Sequence, residues 1–372
     1  MFLADLPTPQ VVVDHERLLG NIRRVQALAD ASGVALRPHA KTHKSPVIAR
    51  WQIDRGAVGI CCAKIAEASV FAEAGIQDIR LPYPVNPRDA ARVLALMDRA
   101  AISIIVDHLG VARGWSDTMR AAGRRLDVLV KVDVGFHRCG IDPHSPRATD
   151  FVQAVASMAG LRLRGLLSHA GHGYDATSAD QLRAVAGREA EILTGLRDRA
   201  AASGIAIEEL SVGATPTLRF SATQRGLTEL RPGNYVYLDR TQVALGAATL
   251  SDCALTVLAT VVSKPATDRI ILDCGSKTLT TDPARGTVPT PGYGVVLTRE
   301  GSTIDETLSI DRLSEEHATV RVTGRTTLEP GDRVRILPNH SCVVSNLVDE
   351  IRLIDGERVV DTLPVAARGK IT

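Results

Sequence analysis

The stretch IRLPYPVNPRDAARVLALMDRAAISIIVD (79–107) decides how this chain is read. It opens on a short apolar run, IRLPYP (79–84), and closes on another, ISIIVD (102–107), with the amphipathic, helix-like NPRDAARVLALMDRA (86–100) between them. Strand, helix, strand in that order is the crossover unit of a parallel sheet.

The same alternation runs from residue 35 to about 231. Eight strand-like runs are found, at ALRPHA (35–40), VGICCA (58–63), IRLPYP (79–84), ISIIVD (102–107), LDVLVKVDV (126–134), LRGLLSHA (163–170), ELSVG (209–213) and LTELRP (227–232). The helix-like segments AKIAEASVFAEAG (63–75) and SADQLRAVAGREAEILTGLRDRAAASG (178–204) end in the Gly expected just past a helix C-terminus. Eight repeats predict a closed (β/α)8 barrel. An open doubly wound sheet would satisfy the alternation too, but its Gly-rich fingerprint is absent: Lys41-Thr42-His43-Lys44 follow the first strand.

After about residue 240 strand patterns continue (ALTVLATVVSKP, RIILDCG, ATVRVTG, DRVRILPNH) with Gly, Pro and Asp turns and no long helical period. The predicted organisation is therefore α/β: a barrel over 1–240 followed by an all-β C-terminal domain over 241–372. QVVVD (10–14) is left with two places, capping the barrel or crossing into the β domain.

Composition narrows the function. Over 372 residues, 44 Lys and Arg balance 42 Asp and Glu, which removes the excess positive charge that a nucleic-acid surface needs. Aromatic residues make up 3%, too few for base stacking, while 45% apolar content suffices for a core. No apolar run reaches the roughly 18 residues of a membrane span, and MFLADLPTPQ lacks the pattern of an export signal. The six cysteines are scattered rather than closely paired. A cytoplasmic protein with no membrane or nucleic-acid partner is expected.

In such barrels chemistry sits at the C-terminal ends of the strands. Lys41 closes the first strand in RPHAKTHK (37–44), beside His39, Arg37 and Lys44; partial burial and like charge there would favour the free amine, which can form a Schiff base. SVGATPT (211–217) and RPGNY (231–235) follow strands seven and eight, where barrels commonly bind phosphate through backbone N–H groups and hydroxyls. DVGFHRCG (133–140) offers Arg138 to a phenolate or carboxylate. SHAGHGY (168–174) supplies His169, His172 and Tyr174 for stacking, proton transfer and hydrogen bonding. In LPNHSCVVSN (337–346), His340 and Cys342 stand two apart in strand-like sequence, which predicts both on one face. A metal could sit there with open positions for substrate; sulfur favours Zn2+ over Mg2+, with Mn2+ and Co2+ left open.

Taken together, LPTPQVVVD, RPHAKTHKS, CCAKIAEA, DVGFHRCG, SHAGHGY, SVGATPT, ELRPGNYVYLD, LDCGSKTLTTD, SEEH and PNHSCVVSN resemble the PLP-dependent D-threonine aldolase/D-serine dehydratase family, over nearly the whole chain. The resemblance implies an alanine-racemase-type fold, pyridoxal 5'-phosphate (PLP) on Lys41, Arg138 near the cofactor's phenolic oxygen, and Gly213, Thr215, Gly233 and Asn234 around its phosphate. It implies His340 and Cys342 as ligands of a divalent metal, and a homodimer with shared active sites. The implied substrates are D-3-hydroxy amino acids. Dehydration to a 2-keto acid and ammonia is one outcome; retro-aldol cleavage to an amino acid and an aldehyde is the other.

Two features lean toward the dehydratase. The metal motif is His-x-Cys, where the aldolase branch commonly has His-x-Asp. Tyr174-Asp175 stand where aldolases of this family tend to carry Gln-His, though His172 could be an alternative base. Two rivals remain: a non-catalytic PLP-binding protein, which would lack the second domain, and a metal-independent racemase, whose second base would have to be Tyr293.

Overall fold

The computed structural model describes the chain apart from residues 286–290, 299, 300 and 302. After β1 (Gln10–Asp14) come eight strands: β2 (Ala35–Leu36), β3 (Ile60–Cys61), β4 (Asp78–Pro84), β5 (Ala101–Val106), β6 (Leu126–Lys131), β7 (Leu161–Leu167), β8 (Glu209–Val212) and β9 (Glu229–Leu230). They form one parallel sheet in the order β2-β9-β8-β7-β6-β5-β4-β3. A parallel bridge between His39 and Cys61 joins its two ends, with the Cys61 N–H donating to the Pro38 carbonyl at 2.7 Å. The sheet thus curls into the expected barrel. Its strands read as nearly unbroken apolar runs because both faces are covered, as in β6, where five of six residues are buried. The long helix Ala179–Ala202 ends where sequence predicted, and Gly204 beyond it takes φ +78°, a conformation that a side chain would strain.

A second, nine-stranded sheet adds β10 (Leu255–Ala266), β11 (Arg269–Leu272), β12 (Val295–Val296), β13 (Leu308–Leu313), β14 (Ala318–Val322), β15 (Arg333–Leu337), β16 (Glu350–Asp355) and β17 (Arg358–Pro364). β1 lies inside it, antiparallel to β10 and parallel to β16, so QVVVD crosses over rather than capping the barrel. Val11, Val12 and Val13 are wholly buried there. The layer is strand-dominated rather than purely β: it also carries the short helices Ser276–Leu279 and Ser341–Asn346.

The second of these corrects a local expectation. His340 and Cys342 are not in a strand; β15 stops at Leu337, Pro338 has no N–H for a ladder, and His340 instead precedes the helix that contains Cys342. Asp239 drives the turn by accepting the Ser341 backbone N–H at 3.0 Å.

The barrel interior also departs from the usual filling of branched apolar side chains. Glu229, 4% exposed, accepts from Arg37 Nε at 2.7 Å and pairs with Arg80, whose Nη2 reaches Glu209 at 2.7 Å. Ser211 Oγ links this network to Arg231, accepting from its Nε at 2.6 Å. These charged groups form the floor under the functional loops.

Candidate active site

A cavity of about 340 Å3 opens beyond the C-terminal ends of the barrel strands, walled on the far side by residues of the β layer. Lys41 enters it from the turn Ala40–Thr42 after β2. That turn forms because the His39 ring accepts the Lys41 backbone N–H at 3.3 Å. The next residue, Thr42, has its hydroxyl 3.2 Å from Cys342 Sγ, which ties the lysine turn to the β layer.

The expected company of Lys41 is partly wrong. Arg37 points down the barrel to Glu229 and Asp78, and Lys44 turns away toward Glu67 and the Ala367 carbonyl. His39 and His169 share the cavity with Lys41 instead. Burial first, then the nearby Lys41 charge, holds both imidazoles well below their ordinary range, so both are neutral at pH 7.

Gly213, Thr215, Gly233 and Asn234 all line the same cavity. A Cβ on Gly213 would lie 2.7 Å from the Arg231 carbonyl oxygen, so only glycine lets the loops after β8 and β9 approach so closely. The Thr215 hydroxyl accepts the Tyr235 N–H at 3.2 Å and holds the two loops in register. Among the described residues the backbone N–H groups of Ala214, Thr215, Gly233 and Asn234 have no partner. Four unpaired donors on one wall suit a phosphate. The Asn234 side chain does something else: its Nδ2 donates to Asp239 at 2.6 Å and to Cys342 Sγ at 3.4 Å, supporting the β-layer wall.

His169 donates through Nδ1 to the Gly213 carbonyl at 2.6 Å and meets Phe136 edge-on, with ring centroids 5.7 Å apart. Arg138 lies over the other side of that contact, 5.1 Å from the Phe136 centroid, with its guanidinium at the mouth. Tyr174 reaches the cavity and accepts from Gln242 Nε2 at 3.5 Å; burial pushes its phenol up, so it stays neutral. His172, expected as a possible base, is not on the cavity wall. Its ring packs over Gly135, facing Asp133 and Asp175. It follows His169 by three residues, and the 3-10 turn Gly171–Asp175 sends the two rings in different directions. Tyr293, the racemase candidate, packs against the core of the β layer and is also absent from the cavity wall.

On the far wall His340 donates from Nδ1 to Asp282 at 2.7 Å, which leaves the other ring nitrogen for Cys342. Burial is the largest single influence and opposes the charged imidazolium, but Cys342, Asp239 and Asp282 together outweigh it, and His340 is held up to about 10. The Cys342 thiol is lowered against its own burial by its contact with His340. A thiolate and an imidazole with a carboxylate behind it are the donor set of a soft or borderline divalent metal. Among the described residues no third His, Cys, Asp or Glu completes the set, so a bound ion would keep positions for substrate oxygen.

Sequence reading singled out none of the charged cavity residues Lys131, Arg231, Asp239, Asp282 and Arg285. Lys131 ends β6 and is pushed down to about 7, by burial and then by the Arg231 charge. Arg231 is buried in the floor on Ser211 and the Ser168 carbonyl. Asp282 and Arg285 come from LTTDPAR (279–285); Asp282 closes the family-like LDCGSKTLTTD, without a role being visible there, and Arg285 lies outside it.

Comparison with known proteins follows the same division. The alanine racemase N-terminal domain model matches residues 13–241, and a serine dehydratase domain model matches 254–354. D-threonine aldolase of an Arthrobacter species is 34% identical over 99% of this chain and 94% of its own. The solved D-threo-3-hydroxyaspartate dehydratase of Delftia sp. HT23 superposes with a TM-score of 0.91 at 30% identity, covering 98% of both chains. One solved form of that dehydratase is described as metal-free. D-threonine aldolase from Filomicrobium marinum superposes with a TM-score of 0.90 at 30% identity over 100% of this chain and 97% of its own. The cavity with Lys41 on one wall and His340 with Cys342 on the other, on a fold matched from end to end, makes this chain a member of the D-threonine aldolase/D-serine dehydratase family of PLP-dependent lyases, with the alanine-racemase-type fold.

Proposed function

We propose that the protein dehydrates D-3-hydroxy amino acids, with D-serine as the simplest substrate, giving a 2-keto acid and ammonia. One observation carries the reading: the turn bearing Lys41 touches the metal-type pair directly, Thr42 to Cys342 at 3.2 Å, so an amine and a Lewis-acid site face one small substrate. When bound, PLP withdraws electron density from Cα, and a divalent ion on His340 and Cys342 polarises the β-hydroxyl. We assign zinc on the softness of the thiolate ligand.

The chain's own groups divide the remaining work. Lys41 takes up the Cα proton. The N–H groups at Thr215, Gly233 and Asn234 would hold the cofactor's phosphate, and Arg138 would hold its phenolic oxygen. His169 stays neutral, fixed by Gly213, and adds no competing charge. Asp282 keeps His340 in the tautomer that presents its free nitrogen to the ion.

Dehydration is favoured over retro-aldol cleavage because the latter needs a base on the β-hydroxyl. His172 lies off the cavity wall and Tyr174 stays protonated, so neither supplies one. The 34% identity to a D-threonine aldolase is the observation on the other side. We further propose a homodimer that covers the mouth, where Lys41, Arg138 and Arg285 are exposed in a single chain, and a cytoplasmic site, consistent with six free cysteines.

The deciding experiment incubates purified, PLP-loaded protein with D-serine and, separately, D-threonine. Keto acid and ammonia are expected; glycine and acetaldehyde from D-threonine would replace the dehydratase reading by the aldolase. Lys41→Ala should lose both the yellow colour and turnover. Excess EDTA should stop turnover without bleaching the protein, and full activity in EDTA would remove the metal from the mechanism.

A further inference from the structure

Among the described residues the cavity wall carries five Lys and Arg side chains: Lys41, Lys131, Arg138, Arg231 and Arg285. Four are placed already. Lys41 and Arg138 face the cofactor region under the lyase reading, Arg231 is bonded into the floor, and Lys131 is buried at the end of β6. Arg285 is not. Its guanidinium is half exposed, and its nearest carboxylate, Asp175, is 4.0 Å away and itself 71% exposed. An ion pair that open and that long contributes little.

The backbone fixes where Arg285 stands. Its N–H donates to the Thr241 hydroxyl at 3.2 Å, and that hydroxyl donates to the Asn339 carbonyl at 2.8 Å, immediately before His340. Three residues earlier, Asp282 accepts from His340. Asn339 closes the loop from the other side, donating to the Asp282 carbonyl at 3.0 Å. Arg285 therefore shares a wall with the metal-type pair and is held to it by hydrogen bonds on both sides.

Because Arg285 lines the same cavity as His340 and Cys342, a 3-hydroxy amino acid whose hydroxyl lies at that pair can turn the other substituent of Cβ toward the guanidinium. A hydrogen or methyl there gives a guanidinium nothing to bind. A carboxylate gives it a two-oxygen partner in planar match with its fork of N–H donors. We propose that Arg285 receives a carboxylate on the substrate's Cβ, so that the preferred substrates are 3-hydroxy derivatives of D-aspartate rather than D-serine or D-threonine. This rests on the lyase reading and sharpens it. Asp175, the loose partner, competes with that carboxylate for the guanidinium.

The test compares kcat/KM for D-threo-3-hydroxyaspartate with that for D-serine, in the holoenzyme and in Arg285→Ala, Arg285→Lys and Asp175→Asn. The wild type should prefer the dicarboxylate. Arg285→Ala should lower the selectivity ratio by about 10- to 100-fold, the range of one charge-assisted hydrogen-bonded pair. Arg285→Lys should keep part of the ratio, and Asp175→Asn should raise it. A ratio unchanged in Arg285→Ala, or a wild type indifferent to the second carboxylate, overturns the assignment.

A binding arm works without turnover. D-aspartate and D-alanine, which lack the hydroxyl, are titrated into the holoenzyme and followed by its visible spectrum. D-aspartate should bind more tightly in the wild type, and the difference should vanish in Arg285→Ala. If no 3-hydroxy amino acid is dehydrated or cleaved, the lyase reading has failed, yet the titration still decides whether Arg285 binds a second carboxylate. If D-serine is dehydrated and D-aspartate shows no advantage, the lyase reading stands and the Arg285 assignment falls.

Discussion

At the scale of single residues, the site depends on how each reactive group is backed. His340 is aimed by Asp282, whose Oδ2 lies 2.7 Å from Nδ1. Outer carboxylates of this kind fix the imidazole tautomer and raise its basicity as a ligand. Asp282→Asn should weaken metal binding by about 10- to 100-fold, read as competition with a chromogenic chelator, while leaving the PLP colour in place. Unchanged metal affinity would mean that Asp282 only packs. That Lys41, Arg138, His340 and Cys342 would line one cavity was legible because each stands in a short motif at a strand end or a two-residue spacing. Lys131 and Arg231 were not, since a lysine or arginine inside an apolar strand run looks in sequence like one pointing to solvent. Only the barrel's closure shows that both are buried. His172 shows the opposite case: it sits in the expected motif, but the tight turn Gly171–Asp175 carries its ring off the cavity wall.

At the scale of elements, the wall with the metal-type pair is made by a helix end rather than a strand. Alternation predicted the right neighbours for the wrong reason, because an extended His340 followed by the first helical turn also brings its side chain to Cys342. Asp239 holds this arrangement. It is wholly buried, accepts the Gln242 N–H at 3.1 Å through Oδ1, and accepts the Ser341 N–H at 3.0 Å and Asn234 Nδ2 at 2.6 Å through Oδ2. One carboxylate thus starts two helices, Arg240–Ala244 and Ser341–Asn346. Asp239→Ala leaves several buried donors without an acceptor, each costing about 1–3 kcal/mol. The variant should lose on the order of 3 kcal/mol in urea unfolding and bind metal poorly. A loss confined to metal binding, with stability intact, would show that Asp239 acts on the ligands alone. Its signal in YLDR (237–240) is an ordinary helix cap, and nothing in the local sequence marks the second helix that it serves.

At the scale of the whole molecule, two layers must be locked together for amine and metal-type ligands to meet. β1 does part of this by leaving the barrel side and entering the β layer between β10 and β16. The eight repeats were visible from hydrophobic runs alone, whereas the ionic axis that joins their floor was not, because its members lie far apart in sequence. Glu229 is the centre of that axis, linked to Arg37, Arg80 and Ser211 from three other strands or their ends. Burial works to raise its carboxyl, but Arg80 and Arg37 outweigh it and hold the group below its usual 4.5. A carboxyl lowered in the folded state contributes stability that is complete above the unfolded value and is lost as pH falls through the folded one. Glu229→Gln removes the charge and leaves two buried guanidiniums undercompensated, although Arg37 keeps Asp78 and Arg80 keeps Glu209. The variant should be less stable by about 3 kcal/mol near neutral pH, the lower end for breaking a buried pair. Because the wild type alone has this carboxylate to protonate, the gap between the two should narrow as pH drops below about 4.5. Urea unfolding of both proteins at pH 7 and pH 4 measures it, and a gap that stays constant would show that Glu229 contributes shape rather than charge to the barrel floor.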